Sequence, residues 1–236
     1  MNLDNLFKWS GEVHIVNQRG EPVLDGGKPL VLYQRVVGDA DLSEARTHAL
    51  MCSRVLRKAL RDIGSQEYNA LIPDTSTLDR ETKVDNILNL RFLVYRDEAI
   101  RNLIPPRKPV EPEVGSPLEM YEEYSAAEKE YSNKVDAEVR KSITEIVARE
   151  RQKLSERSEQ EIDKDFEAEV VDALCRAEMV NEFNRYSAYL GTFNDKKFKA
   201  RAFASYEEFS NASSALIKQI LEAYLSIEVD SETLKN

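Results

Sequence analysis

Apolar positions alternate near the N-terminus of this chain and recur at spacings of three and four over most of the remainder. Val13 and Ile15 alternate with polar neighbours across residues 12–17, and residues 29–37 are a β-branched and aromatic run, so both segments read as strands. Arg19-Gly20-Glu21-Pro22 and Asp25-Gly26-Gly27 supply the positive φ that hairpin turns need, which predicts a small antiparallel β-element. Beyond Gly38, Asp41 and Glu44 can form a capping box, and Leu42, Ala45, Ala49, Cys52, Leu56, Leu60 and Ile63 predict a helix to about residue 63. Its apolar stripe is expected to pack on the hairpin. Val84, Ile87, Leu88, Leu90, Leu93 and Ile100 predict a second helix over 79–104, ended by Pro105-Pro106.

Glycine and proline then set the larger divisions. Seven of eight glycines and all eight prolines lie at or before Pro117, and residues 118–190 hold neither. The five prolines of residues 105–117 exclude helix and central strand, so this stretch is read as an extended linker. Ser116 and Pro117 suit the start of a long helix with an intermittent seam through Tyr131, Val135, Val139, Ile143 and Ile146. Leu154 is the only large apolar residue of 148–161, and Ser155 and Ser158 can cap. A turn there would fold the arm into a hairpin, and an unbroken rod is the alternative. Ile162, Phe166, Val170, Leu174, Phe183, Tyr186 and Leu190 mark the next helix, and a Ser205/Glu208 capping box opens a last one to about Ser226. The expected fold is α+β and mainly α, with a small N-terminal antiparallel β-element on helices, a long helical arm or hairpin, and a C-terminal helix. Its expected divisions are 1–104, the linker 105–117, and 118–236.

Composition narrows the function classes. Charged residues make up 32% of the chain and the net charge is −10, which opposes general attraction to nucleic acid or an anionic membrane. Acidity is uneven: residues 1–63 carry nine basic and eight acidic side chains, residues 118–165 nine and fourteen. Two cysteines far apart give no disulfide framework, and no apolar run approaches a membrane span, so a soluble intracellular protein is expected.

No candidate chemistry stands out. Gly26-Gly27 leads into another strand rather than a helix, unlike a phosphate-binding loop. His14 and His48 lie on different elements and the cysteines read as isolated, so neither metal ligation nor nucleophilic catalysis is expected. No cofactor, metal or catalytic residue is assigned. Two surface features remain. Arg54, Arg57, Lys58 and Arg61 fall at i, i+3, i+4 and i+7 with Leu50 and Met51 beside them, a face that can bind an acidic helix or a phosphate backbone. As an ordinary solvated face it would be balanced by nearby carboxylates. Lys196, Lys197, Lys199 and Arg201 alternate with Phe193, Phe198 and Phe203, a pattern that can stack bases, or whose rings can anchor a loop to the core. Trp9 is read as a core plug.

The stretch Arg35-Val-Val-Gly-Asp39-Ala-Asp41-Leu42, with Glu44-Ala45-Arg46, Ala49-Leu50, Ser53-Arg54 and Leu60-Arg61-Asp62, resembles phage tail assembly proteins in its order of elements. The mainly helical remainder, ending Tyr206-Glu-Glu-Phe209 and Leu234-Lys235, extends the likeness over the chain. Tail assembly chaperones keep the helical tape-measure protein soluble and recruit tail-tube subunits. The resemblance implies such a chaperone or scaffold, a helical tape-measure-like or tail-tube partner, and no catalytic residue. A structural subunit of the tail or connector is the sister reading, and a nucleic-acid-associated regulator using residues 196–201 is the rival of another class.

Overall fold

The computed structural model describes residues 10–74 and 77–233, and Trp9 lies outside them. The fold is α+β and mainly α, with a small antiparallel sheet and long helices. In chain order it comprises β1 (Ser10–His14), β2 (Leu24–Asp25), β3 (Lys28–Pro29), β4 (Val31–Arg35), α1 (Asp39–Ala59), α2 (Gln66–Leu71), α3 (Arg80–Leu90), α4 (Phe92–Asn102), α5 (Leu118–Ser155), α6 (Glu159–Leu190), β5 (Thr192–Phe193), α7 (Tyr206–Ser210) and α8 (Ser214–Thr233). No helix among the described residues is long and apolar enough to cross a membrane. The chain divides into two compact units, one of residues 1–62 with 174–236 and one of residues 63–173.

In the first unit, β1 pairs antiparallel with β4 in the register Val13 to Leu32, as the alternation at 12–17 predicts. Gly26 and Gly27 both take positive φ, +56° and +83°, in the β2–β3 turn, a conformation that side chains with a Cβ resist. Two strands alone cannot bury a face. The sheet is completed from far along the chain, by β5 on β4 (Tyr33 to Phe193) and by α8, whose Ile220 and Tyr224 join Val13, Ile15, Leu32 and Phe209 in the core. This is why the expected division at 105–117 does not hold: the N-terminal strands need residues 174–236 to close their core. Gln34, fully buried, ties the layers together through Nε2, which donates to Thr192 Oγ1 (3.1 Å) and to the Ile220 carbonyl (2.8 Å).

The α1 stripe packs largely on α6 rather than on the hairpin. Tyr186 donates to Glu44 (2.7 Å), His48 meets Glu182 (3.2 Å), and Ser53 donates to the Cys175 carbonyl (2.8 Å), an antiparallel run along the two helices. Only Leu42, of the stripe, reaches the sheet core. The helix stops at Ala59, short of residue 63, because the Arg61 and Asp62 amides bond back three residues and tighten the last turn. Ile63 is consequently exposed.

The second unit is helical, with a core of Val84, Ile87, Leu88, Tyr95, Ala99, Ile146, Leu154, Ile162 and Phe166. The helix predicted over 79–104 is two helices, α3 and α4, that meet at Arg91, whose side chain donates to Glu169 on α6 (2.7 Å). Asp79 caps α3 by accepting the Thr82 amide (2.8 Å), and these bonds hold its carboxyl below the usual range. The cap is therefore complete above the unfolded carboxyl pKa and is lost as pH falls through the lowered folded value. Asp79→Ala should lower Tm at neutral pH and make no difference in strong acid. Residues 105–117 connect α4 to α5, which pack on each other within this unit, so the proline stretch is not an inter-domain linker.

The arm is a hairpin. α5 ends at Ser155 and α6 begins at Glu159, with Ser158 and Glu161 bonding reciprocally in a capping box. The sequence reads 148–161 as thinly held, yet Leu154 is buried. The Arg80 guanidinium also donates to the carbonyls of Leu154 (3.1 Å), Ser155 (3.3 Å) and Arg157 (2.7 Å). One side chain thus satisfies carbonyls that the helix end leaves without partners. Arg80→Ala should make residues 155–158 the first site of limited proteolysis, while the wild-type turn resists. Equal cleavage of both proteins would remove this role.

The last helix is also divided. The Ser205/Glu208 box opens only α7, with the Glu208 amide on Ser205 Oγ (3.1 Å) and the Ala204 amide on Glu208 (2.6 Å), and Ser213 caps α8 afresh.

Candidate functional site

The face predicted to bind a partner is altered at its C-terminal end. Arg54 and Lys58 are exposed on α1 beside Leu50 and Met51, as the spacing requires, but Arg57 is half-buried and Arg61 lies in the turn beyond the helix. Among the described residues, Arg46, Arg54, Lys58 and Arg61 enter no ion pair. Its apolar component is larger than the sequence indicates. Met51 is 61% exposed and Val55 70%. Between α1 and α6 opens a groove of about 420 Å³ lined by Arg46, Ala49, Leu50, Met179, Val180 and Phe183. Sequence reasoning missed the α6 side of this groove because Met179 and Val180 stand outside the apolar seam that marks this helix, Ile162 to Leu190.

The 193–203 segment is organised inwards. Asp195 accepts the amides of Lys197 (2.9 Å), Lys199 (3.0 Å) and Ala200 (2.8 Å), which holds its carboxyl below the usual range. Phe193 is buried and meets Phe198 edge to face at 5.5 Å, and the Arg35 guanidinium lies 5.1 Å from the first ring and 5.7 Å from the second. Lys196 pairs with Glu12 (2.8 Å) and Arg201 with Asp41 (3.6 Å). The rings anchor the loop, and of its four cations Lys197 and Lys199 are exposed and enter no ion pair among the described residues.

A third cluster was not legible as a site in the sequence. His48 and Cys52 stand one turn apart on α1, and Glu182 of α6 meets them. His48 Nε2 lies 3.2 Å from Glu182 Oε2 and 3.5 Å from Cys52 Sγ. Tyr206 donates to the same Oε2 (2.7 Å), and Arg185 reaches Oε1 (3.3 Å). Tyr186 stacks on the imidazole at 4.3 Å and Tyr206 meets it edge-on at 4.7 Å. Burial, with the carboxylates of Glu182 and Glu178 nearby, pushes the Cys52 thiol up. Burial first and the Glu44 hydrogen bond second push Tyr186 up to about 12, and burial with Glu182 raises Tyr206 further. Both phenols are therefore donors at neutral pH. The trio brings together a nitrogen, a sulfur and an oxygen of metal-ligating type. The reading of the cysteines as isolated is thus corrected for Cys52, while Cys175 is buried and His14 is exposed on β1. The i,i+4 spacing of His48 and Cys52 was the one sequence signal, and Glu182, 134 positions from His48, gave none.

No family model matches the chain, no curated protein matches it, and no solved structure matches its fold.

Proposed function

We propose that this chain is a non-enzymatic assembly chaperone or scaffold that holds an acidic amphipathic helix of a protein partner in the α1–α6 groove. The observation that carries the reading is an apolar groove walled by Leu50, Met179, Val180 and Phe183, with Arg46 in its lining and the exposed cations Arg54 and Lys58 on the adjoining face of α1. An amphipathic helix lays apolar anchors at i, i+3, i+4 and i+7 into such a groove. Glutamates on its flanks would meet the three cations, whose intervals of eight and four along α1 are close to two helical turns and one. The phage tail resemblance gives this role a setting: a tape-measure-like helix kept soluble until tail-tube subunits arrive. Phe193 and Phe198, engaged with Arg35, offer less to a stacked base, which favours a protein partner over nucleic acid.

The probe is a synthetic amphipathic helix with acidic flanks, and its control is a peptide of the same composition with the apolar pattern scrambled. The patterned peptide should bind and the scrambled one should not. Leu50→Asp with Val180→Asp, which face each other across the groove, should weaken binding at least about tenfold, or about 1.4 kcal/mol. Both side chains are exposed, so the fold should be kept. Arg46→Glu with Arg54→Glu and Lys58→Glu should abolish binding of the acidic peptide. Equal binding of patterned and scrambled peptides, or no effect of the Leu50/Val180 pair, overturns the proposal.

A further inference from the structure

His48, Cys52 and Glu182 offer one nitrogen, one sulfur and one oxygen ligand atom, all within 4.8 Å of one another. Tetrahedral zinc, with bonds of about 2.0 Å to nitrogen and oxygen and about 2.3 Å to sulfur, requires an N···O edge of about 3.3 Å and an N···S edge of about 3.5 Å. The edges found here are 3.2 Å and 3.5 Å. Two edges of a zinc tetrahedron are therefore present before any ion enters, and they share the His48 Nε2 vertex. We infer that these three side chains form a zinc site, with the fourth position open to solvent.

The supporting residues fit this role. The Tyr206 hydroxyl and the Arg185 guanidinium fix the two oxygens of Glu182, whose side chain is 11% exposed, so its carboxylate cannot swing away. Tyr186 stacked on His48 sets the imidazole plane. Hydrogen bonds and packing of this kind around the ligands orient them and raise affinity. The His48 side chain is 28% exposed, which leaves an approach for the ion and for a water in the fourth position. Calcium and magnesium are poor candidates, because they take six or more oxygens and reject thiolate. A mixed imidazole, thiolate and carboxylate set suits zinc. On binding, Cys52 releases its proton to solvent, His48 coordinates through Nε2 as the neutral ring with its proton on Nδ1, and Glu182 binds as the carboxylate. The chain releases one proton per ion and the metal keeps its oxidation state. Because two ligands come from α1 and one from α6, the ion would staple these helices together.

The test uses the full, untagged chain after treatment with a chelator. Dialysis against Zn²⁺ should load one ion per chain, and Co²⁺ in its place should give a thiolate-to-cobalt charge-transfer band with the visible bands of a tetrahedral ion. Zinc should raise Tm in the wild type. Cys52→Ser should abolish the charge-transfer band, weaken zinc binding at least a hundredfold and remove the zinc-dependent rise, while its metal-free Tm stays close to that of the wild type. Glu182→Gln should weaken zinc binding at least tenfold with the charge-transfer band retained at saturating cobalt. The cobalt spectrum of the unmodified chain decides the point even where a variant fails to fold. Less than stoichiometric zinc, a cobalt spectrum without the thiolate band, or unaltered zinc affinity in folded Cys52→Ser would overturn the site and leave a hydrogen-bonded trio.

Discussion

Alanine at position 191 should destabilise the chain by about 3 kcal/mol or more, the upper range for forcing atoms into a filled space. A Cβ there would sit 2.6 Å from the Tyr224 ring, 2.7 Å from the Arg35 carbonyl oxygen and 3.2 Å from the Ser187 carbonyl oxygen. The ring could shift, but the Arg35 carbonyl belongs to the strand edge, and the Arg35 amide is itself bonded to the Gly191 carbonyl at 3.0 Å. Moving either backbone breaks the β4–β5 pairing. Urea unfolding followed by circular dichroism should show the loss. Gly38→Ala is the control, because nothing lies within 4 Å of its Cβ position, and it should change stability by less than about 0.5 kcal/mol. Similar curves for both variants would mean that the close approach at Gly191 is easily relieved.

Phe209→Ala should cost about 3–5 kcal/mol, the usual range for deleting a buried ring. Phe209 is fully buried in the first unit's core, with Phe203 edge to face at 5.2 Å, Tyr206 at 5.9 Å and Tyr189 at 6.1 Å. Its removal opens a void lined by rings that are already engaged with one another, so collapse into it is limited. Phe209→Leu keeps much of the volume and should cost clearly less. Equal losses for the two would point to lost ring contacts rather than to the void. A loss below about 1 kcal/mol for alanine would show that the aromatic cluster repacks.

What could be read from the sequence was what neighbours decide. The β1–β4 pair follows from the alternation of Val13 and Ile15, and the β2–β3 turn from Gly26-Gly27, since both depend on residues a few positions apart. The break between α5 and α6 was legible in the same way, through hydroxyls placed to cap. β5 was not, because two residues carry no period and Thr192 is a strand residue only through Tyr33 and Gln34 across the sheet. The divisions of the chain failed for that reason too. Five prolines signal an extended segment, but whether it joins two bodies or two helices of one body depends on what packs on either side. The cationic face was half legible: spacing placed Arg54 and Lys58 correctly, and helical extrapolation past Ala59 misplaced Arg61. Glu182 shows the limit most clearly. A carboxylate among 43 acidic residues gains meaning only when folding sets it against His48 and Cys52.

The division of the first unit between the two ends of the chain has a consequence for its synthesis. Gln34 and its partner Thr192 are 158 positions apart, so a ribosome adding roughly 5–20 residues per second needs about 8–32 s to deliver the second after the first. For that time β1 and β4 exist without β5 or α8, and β4 carries an unpaired edge of the kind that recruits other chains. The intervening residues 63–173 hold a core of their own and are synthesised before β5 and α8. Slowing translation within residues 63–173 should therefore raise the aggregated fraction of newly made chain, whereas slowing it after residue 227 should not.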